Sequence, residues 1–99
     1  MSVVREERLG TITVPSGTLT SLVVSAAQHV DGARIRRPRR DVDVVVEGDR
    51  VRVALDVSAR YGTVLPELAR DVQRSVAAAL TDMCEVEVTA VDVTVEGVE

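Results

Sequence analysis

The run VDVVVEGDRVRVALDVSAR, residues 42–60, constrains the fold most, because apolar side chains alternate on both sides of Gly48-Asp49. In an extended strand, successive side chains point to opposite faces, so Val42, Val44 and Val46 share one face. A two-residue turn containing glycine between alternating runs is typical of a β-hairpin. We therefore predict a hairpin with one buried and one wet face. The buried face of its second strand carries Val51, Val53, Leu55, Val57 and Ala59.

Two other stretches have the spacing of amphipathic helices, in which apolar residues recur every three or four positions. The first follows Pro15 and ends at Asp31-Gly32, and the second carries Pro66 in its first turn, where proline is tolerated. The first stripe consists of Leu19, Leu22, Val23, Ala26, Ala27 and Val30. The second consists of Leu65, Leu68, Ala69, Val72, Val76, Ala79, Leu80 and Met83.

Two further strands are predicted at the ends of this pattern. Near the start, residues 9–14 alternate between threonine and aliphatic side chains, and Pro15 stops the alternation. Near the end, Val86 and Val88 fall in one phase, whereas Val91, Val93 and Val95 fall in the other. A β-bulge, or a strand that begins near residue 90, would reconcile the two phases.

The element order βαββαβ favours an α+β fold, a two-layer sandwich with both helices on one face of a largely antiparallel sheet of three to four strands. A ferredoxin-like path is the simplest arrangement of this order. A chain of 99 residues has room for one domain with one core. We expect residues 1–8 to form a flexible lead-in and residues 9–98 to form the single domain.

The residues that enzymes use are scarce. Cys84 and His29 are the only residues of their types, so the chain has neither a disulfide nor the ligands of a zinc site, and a reducing cytoplasm fits this composition. All six glycines are isolated, which excludes a glycine-rich phosphate loop. The acids of the last strand alternate with valine, as on any wet strand face. We predict a non-enzyme with no catalytic, cofactor-binding or metal-binding residues.

Residues 9–30 carry no formal charge, which is a property of membrane-spanning segments. Nine polar side chains, together with Gly10, Pro15 and Gly17, interrupt the stretch, so no targeting or spanning segment is expected.

The sequence RIRRPRR, residues 34–40, is the most distinctive surface feature, and we refer to it as the arginine segment. It holds five arginines in a chain of net charge −4, whereas residues 82–99 hold six acids and no base. The candidate partner-binding residues are Arg34, Arg36, Arg37, Arg39 and Arg40. Such separated charge favours association with an acidic protein partner or with another copy of the chain.

Three alternatives remain for the arginine segment. Arginine suits phosphate, but the acidic net charge and the lack of aromatic residues other than Tyr61 make nucleic-acid binding the less favoured alternative. An anionic lipid surface is a second alternative, since each basic residue near such a surface contributes on the order of 1 kcal/mol. The third is a solvated connector, kept extended by Pro38 and neutralised locally by Asp31, Asp41 and Asp43.

Residues 61–98, YGTVLPELARDVQRSVAAALTDMCEVEVTAVDVTVEGV, resemble the signature region of the alkaline shock protein family, also known as general stress proteins. The resemblance extends to GTITV at residues 10–14, to the helix through Leu22 and Val30, and to the turn Asp31-Gly32-Ala33. The other matching positions are Tyr61, Gly62, Val72, Gln73, Val76, Val88, Val91, Val93, Val95, Gly97 and Val98. Most of these positions are apolar or glycine, so they report mainly on the fold.

The resemblance implies a cytoplasmic, non-enzymatic protein of the bacterial envelope stress response that acts in envelope homeostasis. It also implies that some members associate with the inner face of the cell membrane through a partner, which would be a membrane protein. The family supplies no catalytic residues to transfer to this chain, and no cofactor.

Overall fold

The computed structural model describes residues 2–7 and 10–99, with side chains from residue 17 onward. The predicted α+β class is confirmed, since two long helices pack on one face of a sheet. The strands are β1 (Ser2–Glu7), β2 (Gly10–Pro15), β3 (Ala33–Arg34), β4 (Val42–Glu47), β5 (Arg50–Ala59) and β6 (Glu87–Val98). The helices are α1 (Ser16–Gln28), α2 (Pro38–Asp41) and α3 (Leu65–Cys84).

Strand β5 is the centre of the main sheet. On one edge it pairs antiparallel with β4 over its first half and with β3 at Ser58 and Ala59, and on the other edge it pairs parallel with β6. A parallel pair needs a long crossover, which α3 supplies. The predicted antiparallel hairpin is confirmed, and β5–β6 is the one parallel pair among the described strands.

The first two strands form a separate two-stranded antiparallel sheet. Strand β2 corresponds to the strand predicted over residues 9–14, of which residue 9 lies outside the described residues. Residues 2–7 of the expected flexible lead-in form β1 in this structure, and residues 1 and 8 are not described.

The core lies between the helices and β5. Both predicted apolar stripes face it, and every second residue of β5 from Val51 to Ala59 is buried there. The buried helix residues are Leu19, Val23, Ala26, Ala27, Leu68, Val72, Val76 and Leu80. The prediction is wrong for Leu65 and Met83, which are exposed because they lie in the terminal turns of α3. The two helices are also joined by Ser75, whose Oγ donates to the carbonyl oxygen of Ala26 at 2.7 Å.

The last strand contains the predicted bulge. The register passes from Val51–Val88 to Arg52–Ala90, so Thr89 is an extra residue that brings the valines on both sides of it to the core face. A second shift, which the sequence did not predict, makes Glu96 extra as well. The Nε2 of Gln73 in α3 donates to the carbonyl oxygen of Val91 at 3.0 Å, tying the helix to the middle of β6.

Candidate functional site

The arginine segment is folded into a compact turn. Arg34 pairs with Ser58 in the main sheet, and Pro38 begins α2. The amides of Arg40 and Asp41 donate to the carbonyl oxygen of Arg37, at 2.9 and 2.7 Å. Pro38 therefore does not keep the chain extended as expected, because its fixed φ angle also suits the first position of a helix.

Asp41 closes this turn from the other side. Its Oδ2 accepts a hydrogen bond from the amide of Arg37 at 3.0 Å, and the residue is only 5% exposed. Ile35 is also buried, as expected for the one apolar residue of the segment. These two buried side chains anchor a turn whose other members point into solvent.

All five arginines of the segment are exposed, and none forms an ion pair with a described residue. Arg39 and Arg40 are consecutive residues of a helical turn, so their side chains leave the axis about 100° apart. The guanidinium groups of these two residues therefore point in different directions and do not converge on one point. Such an arrangement suits a broad anionic surface better than a single small anion.

Two of the acids expected to neutralise the segment are engaged elsewhere. Asp31 forms an exposed ion pair with Arg60, with 2.9 Å between Oδ1 and a guanidinium nitrogen. Asp41 binds a backbone amide, and Asp43 is exposed on β4. Asp31 and Asp41 therefore do not neutralise the arginine segment through direct ion pairs.

Three carboxylates meet beside the turn. Asp41, Asp56 and Glu96 place oxygen atoms within 4.8 Å of one another, and Glu96 is the extra residue of the second bulge. The three acids lie in three different elements, α2, β5 and β6, so no local sequence pattern identified the cluster. One oxygen of the most buried member, Asp41, is already bound to the Arg37 amide.

An exposed apolar surface lies at the carboxyl ends of β5 and β6, and we call Tyr61, Val64, Leu65 and Val98 the end surface. Tyr61 is 85% exposed, Val64 57% and Val98 53%. The amide of Tyr61 donates to the carbonyl oxygen of Glu99 at 2.6 Å, which brings the β5–α3 loop beside the end of β6. Sequence reasoning did not identify this surface, because Val98 is distant in the chain from residues 61–65 and Leu65 was assigned to the buried stripe of a helix.

The end surface adjoins the arginine segment. A shallow depression lies between them, and it is lined by Gly32, Ala33, Arg34, Ser58, Arg60 and Glu99. The amide of Arg60 donates to the carbonyl oxygen of Gly32 at 2.8 Å, joining the turn after α1 to the end of β5. Arg34 of the arginine segment therefore lies close to Arg60 and Glu99, which are the chain neighbours of Tyr61 and Val98.

His29 follows the last residue of α1, and Cys84 is at the end of α3. The Nδ1 of His29 lies 2.7 Å from the carbonyl oxygen of Ser25, so the exposed ring is engaged with the last turn of α1. Cys84 is the last residue of α3 and packs partly against the core. Burial raises the pKa of the Cys84 thiol.

The raised pKa predicts that Cys84 reacts slowly with thiol reagents. Because only the thiolate attacks, a higher pKa means a smaller reactive fraction at pH 7. Alkylation by iodoacetamide should be slower than that of a short cysteine peptide, and its rate should reach half its maximum at a higher pH. Mass spectrometry at timed intervals from pH 6 to 10 measures both quantities. A midpoint at or below that of the peptide would contradict the prediction.

Comparison with solved structures confirms the fold. A copper form of the MamM C-terminal domain superposes with a TM-score of 0.60 at 17% identity, covering 86% of this chain and 100% of that chain. A cadmium form gives a TM-score of 0.59 at 19% identity, covering 85% and 98%. At these identities the likeness establishes a shared ferredoxin-like α+β fold alone. None of the described helices has the length and apolar character needed to cross a membrane.

The family follows from the sequence profile. Residues 33–99 match the alkaline shock protein 23 family, which has a cell envelope-related function. The chain belongs to this family, so the resemblance found in the sequence is confirmed. No curated protein sequence matches the chain significantly.

Proposed function

We propose that this chain is a non-enzymatic protein of the envelope stress response, which maintains the cell envelope by binding a protein partner at the membrane or another copy of itself. The family's cell envelope-related function supports the envelope setting. The observation that carries the mode of action is the group of five exposed arginines of the arginine segment. Five arginines without ion-pair partners among the described residues lie on one edge of β5, and the acidic β6 lies on the other.

Two features of β6 support association through its outer side. The strand pairs only with β5 among the described strands, so no ladder occupies its second edge. Its polar positions include Glu87, Asp92 and Glu96, and charged side chains on an edge oppose pairing with an identical acidic strand. An arginine-rich surface is therefore the complementary contact for β6, and a carboxylate-rich surface is the contact for the arginine segment.

The non-enzymatic part of the proposal rests on the state of the reactive groups. The ring of His29 is engaged with its own helix, and burial raises the pKa of Cys84, which reduces its thiolate character. The carboxylate cluster combines acceptors only, with one oxygen already bound to a backbone amide. None of these arrangements provides an activated nucleophile with an adjacent base.

Affinity capture from the native host tests the proposal. The arginine variant R36Q/R37Q/R39Q/R40Q removes four guanidinium groups, and the control variant R50Q/R52Q/R70Q/R74Q removes the same charge from other surfaces. Exposed ion pairs contribute about 0.2–1 kcal/mol each, so we expect the arginine variant to bind the captured envelope protein roughly tenfold or more weakly. The control should bind about as well as the wild type.

Size-exclusion chromatography with light scattering measures self-association of the wild type and both variants at 50 mM and 500 mM salt. The proposal fails if neither an envelope protein nor a second copy binds, or if both variants lose binding equally. A mobility shift of single-stranded RNA that disappears only in the arginine variant would support nucleic-acid binding instead.

A further inference from the structure

We propose that the arginine segment and the end surface together form a docking surface for an anionic phospholipid bilayer. The inference goes beyond the proposed function, on which it rests only for the envelope setting. The surface is built from three separate parts of the chain, which are residues 34–40, residues 61–65 and residue 98. The ligand chemistry is a layer of phosphate groups above hydrocarbon.

Continuity of the two parts follows from the contacts between them. Arg34 lines the same depression as Arg60 and Glu99, and the Tyr61 amide is bonded to the Glu99 carbonyl. Thr63, next to Val64, approaches Gly32 closely, so the loop that carries the apolar residues lies against the turn that leads into β3. Arg34 is therefore separated from the end surface only by Arg60 and Glu99.

The chemistry of the exposed groups matches the head-group region. Arginine donates in a planar fork that fits phosphate oxygens, and the five groups here have no ion-pair partners among the described residues to give up. Tyrosine is enriched at membrane–water boundaries because its ring is apolar and its hydroxyl is polar. Val64 and Val98, both more than half exposed, add aliphatic area beside it.

Acids lie both away from the docking surface and beside it. Three of the six acids of residues 82–99 belong to β6, which pairs on the opposite edge of β5 from the arginine segment. At the docking surface itself, Asp31 is paired with Arg60, and Glu99 lies in the depression between two arginines. The other acids near this side are Glu67 in the first turn of α3, Asp43 on β4, and the cluster of Asp41, Asp56 and Glu96 beside the turn. An acidic chain can therefore present a basic side to an anionic surface.

Sedimentation with vesicles tests this docking directly. The full chain is mixed with vesicles of pure phosphatidylcholine, or with vesicles containing 40% phosphatidylglycerol. We expect binding to the anionic vesicles at least about tenfold stronger than to the neutral ones at 50 mM salt, weakening at 500 mM salt as the charges are screened. The variant R36Q/R37Q/R39Q/R40Q should lose at least about tenfold of that binding.

Two matched variants separate this surface from general charge effects. The variant R50Q/R52Q/R70Q/R74Q has the same net charge as the arginine variant. It should bind the anionic vesicles about as well as the wild type. The variant Y61S/V64S should weaken binding several-fold while leaving its dependence on salt unchanged. Circular dichroism confirms that each variant is folded, as expected for exposed residues.

Several outcomes would overturn the docking surface. They are equal binding to neutral vesicles, no binding to anionic vesicles, equal loss in both charge variants, and no effect of Y61S/V64S. These outcomes are independent of the partner proposal, because purified vesicles contain no protein. A chain that captures an envelope protein but ignores anionic vesicles refutes the docking surface alone, and the reverse result refutes the protein partner alone.

Discussion

Replacing Leu80 by alanine should lower the free energy of unfolding by about 2–5 kcal/mol, the range found when a buried leucine is truncated in a core that relaxes only partly. Leu80 is fully buried between α3 and the main sheet, together with Val72 and Val76 of the same stripe. The chain has neither phenylalanine nor tryptophan, so its core is built from small aliphatic side chains. A cavity at Leu80 therefore has few large neighbours that could fill it.

The same substitution at Leu65 serves as the matched control. Leu65 belongs to the same helix and the same stripe, but it is exposed in the first turn. Because its side chain is still partly covered, we expect Leu65→Ala to lower the free energy of unfolding by about 1 kcal/mol or less. Urea unfolding followed by circular dichroism measures both variants. Equal losses would show that α3 does not pack against the sheet as described.

Substituting Gly32 should also destabilise the domain strongly, for two separable reasons. Gly32 has a φ angle of +89°, in the region that favours glycine. A Cβ atom there would lie 2.9 Å from the Thr63 Oγ1 and 3.3 Å from its Cγ2. We expect Gly32→Ala to lower the free energy of unfolding by roughly 2–5 kcal/mol, combining backbone strain of about 1–2 kcal/mol with a steric overlap of about 1–3 kcal/mol.

Gly62 isolates the backbone part of this effect. Its φ angle is +90°, yet a Cβ atom there would meet nothing within 4 Å. Gly62→Ala should therefore show only the backbone part, about 1–2 kcal/mol. The double variant Gly32→Ala/Thr63→Ala should recover most of the steric part, which a double-mutant cycle of thermal or urea unfolding quantifies. Additive effects of the Gly32 and Thr63 substitutions would contradict the close approach.

Local periodicity accounts for the features that could be predicted. The hairpin around Gly48, the two helical stripes and the bulge at Thr89 each follow from the side-chain pattern of one continuous stretch. Such patterns report which side of an element is buried, because burial of one face selects the residues that form it. The family resemblance drew on the same apolar and glycine positions, and the match over residues 33–99 confirms it.

Features formed by distant residues could not be predicted in this way. The ion pair between Asp31 and Arg60 joins residues 29 positions apart. Because Asp31 is paired there, it does not neutralise the arginine segment. The end surface combines a loop, a helix start and a strand end, none of which is distinctive alone. The helical turn at Pro38 depends on Asp41, whose carboxylate binds a backbone amide when it could equally have met a guanidinium group.

The two extra residues of β6 bear on how the length of this chain can vary. Deleting Thr89 would place Val91, Val93 and Val95 in the phase of their charged neighbours, because side chains alternate between faces of the strand. The same holds for an insertion anywhere between the two bulges. Related sequences should therefore keep the number of residues between the end of α3 and the last valine constant, while tolerating insertions in the turn at Gly48, where a Cβ atom would meet open space.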